Sequence, residues 1–149
     1  MRTDTLSYKY YYEADKKQLF RTLLNEQLKY FKRADPTISQ LTSGTKIKTQ
    51  LQTKINKLQT ENYMQVKQII PNELFQLETQ QQDGVILQTF KFAENRRHRK
   101  YLIYSEQNTF NKSRSQMNFM FIGGLYKLIY NHGIKKRMQY LDQLAHQSA

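Results

Sequence analysis

Residues 111–147 read NKSRSQMNFMFIGGLYKLIYNHGIKKRMQYLDQLAHQ, and the fold turns on how this stretch is taken. No Pro interrupts it. Apolar residues recur at Met117, Phe121, Leu125 and Leu128 and then, after a slip, at Ile134, Met138, Leu141 and Ala145. Steps of mostly three or four residues put them on one stripe, so the spacing predicts one long amphipathic helix. Asn111, Ser113 and Ser115 all suit its N-cap. Gly123-Gly124 inside it costs about 1 kcal/mol per Gly against Ala, and allows a bend or a close approach to a neighbour. A helix of this length needs a large apolar partner surface, and a sheet supplies one.

The residues upstream read as that sheet. Residues 101–106 form a strand in which Tyr101 and Ile103 alternate against Leu102 and Tyr104. A polar connection, 94–99, precedes it. Residues 85–92 form a strand with Ile86, Phe90 and Phe92 on one face and Val85 and Leu87 on the other. Asp83-Gly84 favours a tight hairpin turn. Residues 74–80 carry Phe75 and Leu77 in phase, Pro71-Asn72 marks a turn, and residues 63–70 carry Met64, Val66 and Ile70 on one face. Consecutive strands with short connections predict an antiparallel meander. Residues 45–53 fit two patterns. Ile47, Leu51, Ile55 and Leu58 have helical spacing, whereas Thr45, Thr49 and Thr53 favour a strand.

At the other end, Leu6, Tyr8, Tyr10 and Tyr12 share one face of an extended segment. Clustered tyrosines can stack nucleotide bases, but a half-buried strand is the commoner cause. Asp15 then suits the cap of a helix whose apolar face is Leu19, Phe20, Leu23, Leu24, Leu28 and Phe31. Asp35-Pro36 ends it, since Pro disfavours a helical residue before it. A further short turn over 37–41 closes at Ser43-Gly44.

The chain has 149 residues, 38% of them apolar, including 11 Tyr and 8 Phe, which fits one ordered domain with a real core. The mean hydropathy of -0.82 is hydrophilic all the same. Cys is absent, which excludes disulfides and thiolate metal sites. The N-terminus lacks a signal-peptide profile, and the most apolar run, 119–130, is far short of the ~20 residues of a membrane span. A soluble cytoplasmic protein is therefore expected. The net charge of +12 attracts polyanions without identifying a partner.

In element order, from Tyr8 to about Leu144, the chain resembles the START-related, polyketide-cyclase-like helix-grip superfamily (SRPBCC). Residues 8–20, YKYYYEADKKQLF, are similar to its strand-then-helix opening, and 69–77, IIPNELFQL, to its strand turn with Pro before an aromatic. YLIYSE at 101–106, FIGGL at 121–125 and IKKRM at 134–138 resemble one branch, small bacterial proteins known only as a domain of unknown function. The resemblance implies an α+β fold, a curved antiparallel sheet wrapped around a long C-terminal helix. It also implies a strand at 45–53 and a cavity, but no reaction.

Candidate residues follow from this arrangement. Met64, Val66, Phe75, Leu77, Phe90, Phe92, Tyr101, Ile103, Met117, Phe121 and Leu125 are the candidates for lining a pocket between sheet and helix. Arg96, Arg97, Arg99 and Lys100 form the densest basic run and are candidate anion contacts, alone or with Lys135, Lys136 and Arg137. Four neutralised phosphates would give a log–log salt slope of roughly −3.6 on duplex nucleic acid. No nucleic-acid motif is readable. His98, His132 and His146 pair with no carboxylate at ligand spacing, and Glu13, Glu78 and Glu106 are not paired by sequence. No catalytic, cofactor or metal set is assigned. The expected function is non-catalytic binding of an apolar or amphipathic small molecule. The alternatives are a basic nucleic-acid-binding accessory protein and an interaction protein with a solid core.

Overall fold

A computed structural model of the chain describes residues 2–49, 62–81, 84–110 and 123–147. Six strands, β1 (Arg2–Tyr10), β2 (Lys46–Thr49), β3 (Asn62–Ile70), β4 (Leu74–Gln81), β5 (Gly84–Glu94) and β6 (Lys100–Phe110), form one antiparallel curved sheet. Its order is β1-β6-β5-β4-β3-β2, so the N-terminal strand pairs with the last one and the rest is a meander. Helix α1 (Lys16–Ala34) follows β1, and helix α2 (Gly123–Gln147) ends the described chain. The α+β helix-grip architecture expected from the sequence is what forms.

The local signals act largely as read, β1 starting earlier and ending at Tyr10 rather than Tyr12, and three further differences bear on the site. Asp15 occupies the N-cap position of α1, but its side chain makes no capping hydrogen bond. The free amides just upstream go elsewhere: Glu13 N and Ala14 N donate at 3.0 and 2.9 Å to the carboxylate of Asp142 on α2. Secondly, the register of β3 against β4 shifts between Val66 and Gln68. This irregularity pairs Ile69, not Ile70, with Phe75, and Ile69 packs against the core. Thirdly, β6 runs past Glu106 to Phe110, because β1 and β5 both pair with it to that point.

Turns follow their chemistry. Asn72 adopts φ 62 between β3 and β4, and His98 φ 60 between β5 and β6. Gly44, at φ 97, takes a conformation that disfavours any side chain, and its N–H donates to Val66 O at 2.7 Å, beside the β3 irregularity. Asp35 ends α1. Its carboxylate accepts from Thr37 N and Oγ1, which lowers its pKa from the ordinary value.

On α2, Ile134, Met138, Leu141 and Ala145 are all buried, as their spacing demands. They join Leu19, Phe20, Leu23 and Phe31 of α1 and the inner face of the sheet in one core. The predicted start of this helix, with Met117 and Phe121, lies outside the described residues, and Leu125 falls within α2. Among the described residues no helix is long and apolar enough to cross a membrane.

Candidate functional site

Strand pairing arranges the inner face in rows that cross the sheet. One row is Tyr8, Tyr104, Phe90 and Phe75, and the next is Leu6, Glu106, Gln88, Leu77 and Val66. Beyond it lie Asn108, Ile86, Thr79, Met64 and Ile47. On the opposite side Phe92 pairs with Leu102, and its ring meets those of Tyr12 and Phe20 edge-on at 5.9 and 5.6 Å. The end beneath α1 is therefore filled by aromatic rings, and side chains turn polar along β5 and β6 towards the other end.

The polar side chains are ordered. Tyr104, 1% exposed, packs with its ring centroid 4.8 Å from that of Phe90, tilted by 55°, and accepts from Gln88 Nε2 at 2.7 Å. Its hydroxyl donates to Glu106 Oε2 at 3.1 Å. Burial first, and the Glu106 charge second, push the Tyr104 phenol far up from its ordinary value, so it stays a neutral hydrogen-bonding group at physiological pH. Arg137 of α2 lies within electrostatic reach of that phenol. Asn108 and Thr79, also on this face, are buried.

Of the residues proposed from the sequence, Val66, Phe75, Leu77, Phe90 and Phe92 are buried on the inner face, with Met64 half-buried against them. Tyr101 and Ile103 are corrections. Their strand is apolar on both sides, so alternation alone does not choose a face. Pairing with β1 and β5 sends Leu102 and Tyr104 inward. Tyr101 instead meets Tyr11 edge-on at 5.8 Å on the outer face, with Lys9 Nζ 4.2 Å from its ring centroid. Gln88, Tyr104, Glu106 and Asn108 were missed as a group. The available signal was polar residues at 106 and 108 in phase with Leu102 and Tyr104.

The basic run forms the β5–β6 turn. Asn95 Oδ1 accepts from Arg97 N and Arg99 N, both at 2.9 Å, and Arg96, Arg97, Arg99 and Lys100 are exposed. Arg99 is partly engaged, its guanidinium 4.4 Å from the Tyr11 ring centroid. His98 faces Glu94 at 3.3 Å in this turn. A separate open groove of about 440 Å³ runs along α1 past Arg21, Asn25, Lys29 and Lys32 to Leu144. Lys29 there is paired with Glu26. Among the described residues no cluster of His, Asp and Glu is placed to hold a metal.

One pH effect follows from the tyrosines of this region. Burial, with nearby carboxylates, raises the phenols of Tyr10 and Tyr12 from 10 to about 12. The fold favours their neutral forms, so this contribution is complete below pH 10 and is lost as pH rises from 10 through about 12. The urea midpoint is expected to fall over that window, and to fall less in a Tyr10→Phe, Tyr12→Phe double variant. An identical decline in both proteins would remove these tyrosines as the cause.

No protein-family model matches the sequence, and no curated protein matches it by sequence. Solved structures do match by shape. A protein of unknown function from Staphylococcus aureus aligns over 98% of this chain and 97% of its own, with TM-score 0.62 and 11% identity. Norcoclaurine synthase from Thalictrum flavum aligns over 96% and 86%, with TM-score 0.60 and 9% identity. Ara h 8.0201 aligns over 98% and 99%, with TM-score 0.55 and 7% identity. At such identities the likeness establishes the helix-grip fold alone.

Proposed function

We propose that the protein is a non-catalytic carrier that binds an apolar or amphipathic small molecule between the sheet and the C-terminal helix. One observation carries this reading: the apolar inner face leads into the ordered chain Gln88, Tyr104 and Glu106. A solid core gains nothing from a half-buried carboxylate, whereas a binding site needs a few placed polar groups in an apolar wall. The fold is consistent with ligand binding. One similar structure is by name a synthase. Here the raised Tyr104 phenol favours holding a ligand over moving a proton. The same proposal includes kinship with the START-related superfamily and its branch of small uncharacterised bacterial proteins, supported by the near-complete alignment to the Staphylococcus aureus protein. The nucleic-acid alternative has the exposed charge at 96–100 and the exposed Tyr11 beside Arg99 in its favour, and no recognisable nucleic-acid motif.

N-phenyl-1-naphthylamine, a neutral apolar fluorophore, is the test probe. It is expected to bind saturably at one site and to raise the thermal midpoint. Ile86 is half-buried on the inner face and Leu87 points to the outer one. Ile86→Trp should weaken the probe about tenfold, the equivalent of roughly 1.4 kcal/mol, and Leu87→Trp should leave it unchanged. Absence of saturable binding, or equal effects of the two variants, would overturn the proposal and favour an interaction protein with a solid core.

A further inference from the structure

The polar end of the inner face holds a group whose partner is missing. Asn108 is 4% exposed, and its Nδ2 has no hydrogen-bond partner among the described residues. A buried amide donor left unmade is costly and rare, so it calls for an acceptor. Glu106 lies two residues back on the same strand face, roughly 6.6 Å along the strand at 3.3 Å per residue. Its Oε2 accepts from the Tyr104 hydroxyl. Gln88, opposite Glu106 in register, spends a donor on Tyr104. The hydrogen bonds therefore run from Gln88 to Tyr104 to Glu106 and leave one donor open at Asn108, beside a carboxylate that can accept further bonds. In register, Leu6 and Gln88 flank Glu106, and Asp4 and Ile86 flank Asn108, with Leu77 and Thr79 one strand further on, so the apolar part of the wall lies on the β4–β5 side.

Resting on the carrier reading, we infer that Asn108 and Glu106 form a head-group subsite for a neutral amphipathic molecule with a carbonyl acceptor beside an N–H or O–H donor, as in an amide. The carbonyl satisfies Asn108 and the donor satisfies Glu106. A carboxylate of the same chain length offers acceptors only and brings a second negative charge to Glu106. Arg137 of α2 is a cation within electrostatic reach of Tyr104. An anion held by Arg137 is the opposing outcome of the test.

The experiment is displacement of N-phenyl-1-naphthylamine at pH 8 by octanamide and by octanoate. Octanamide should displace the probe at a concentration about tenfold lower. Asn108→Leu should weaken octanamide roughly tenfold relative to its effect on the probe. The same variant should keep or raise the thermal midpoint of the free protein, because it removes an unsatisfied donor. Glu106→Gln should bring the octanamide-to-octanoate ratio towards one. Equal displacement, or stronger displacement by octanoate, with the probe bound normally, overturns the head-group inference and leaves the carrier reading standing. A fall in midpoint for Asn108→Leu also overturns it, by showing that Asn108 holds the fold. Failure of the probe itself to bind overturns both.

Discussion

Asp142→Ala is expected to remove about 2–5 kcal/mol of stability, because the carboxylate satisfies buried donors that would be left without an acceptor. The carboxylate is 7% exposed and accepts three hydrogen bonds: from Tyr10 Oη at 3.1 Å, Glu13 N at 3.0 Å and Ala14 N at 2.9 Å. Alanine leaves two backbone donors at the start of α1 without an acceptor, each costing about 1–3 kcal/mol if it stays dry. Asp142→Asn should cost nearly as much, because its NH₂ group cannot accept and must face one of those donors. Tyr10→Phe should cost only about 1 kcal/mol, since it removes one half-buried hydroxyl. Urea denaturation separates the three. A loss below about 1 kcal/mol for Asp142→Ala would show that water replaces the carboxylate and that this contact is not what fastens α2 to the β1–α1 connection.

Phe75→Ala should have a comparable effect, about 3–5 kcal/mol, through a different mechanism. Phe75 is fully buried on β4, with its ring centroid 6.1 Å from that of Phe90. Truncation loses transfer free energy and leaves a void under the apolar floor of the site. Phe75→Leu, which keeps most of the volume, should cost about 1–1.5 kcal/mol. Against a total stability of about 5–15 kcal/mol for an ordinary domain, the alanine variant loses a large share and the leucine variant does not. Equal midpoints for the two would mean that the sheet collapses onto the gap, and that the floor is softer than its burial implies.

Periodicity was enough wherever one face of an element is clearly apolar. Ile134, Met138, Leu141 and Ala145 mark the buried stripe of α2 without ambiguity, and Phe75, Leu77, Phe90 and Phe92 do the same for β4 and β5. It fails on β6, where Tyr101 and Ile103 match Leu102 and Tyr104 in character. There the face is chosen by register with strands from both ends of the chain. It fails at Ile69 and Ile70 because an irregularity after Val66 resets the alternation. The candidate site was least legible. Gln88, Glu106 and Asn108 are polar residues on a core-facing row, and pattern reading assigns such residues to solvent. Asp142 was invisible for another reason, as it acts on an amide 128 residues away. The strand reading at Thr45 came from resemblance and holds over Lys46–Thr49, with Thr53 outside the described residues.

The pairing of β1 with β6 has a consequence for how the protein is made. Residues 2–10 are made well before their strand partner, residues 102–110. At roughly 5–20 residues per second, about 5–20 s separate the two. During that interval the apolar edge of Leu6, Tyr8 and Tyr10 has no native neighbour, and Glu13 N and Ala14 N wait still longer for Asp142. The meander β3 to β6 can zip by local contacts as it emerges, whereas the β1–β6 seam must close the long loop from Tyr10 to Leu102. Nascent chains stalled before residue 100 should therefore hold a tyrosine-bearing segment open to chaperones, and the arrival of β6 rather than the formation of β1 becomes the event that completes the sheet.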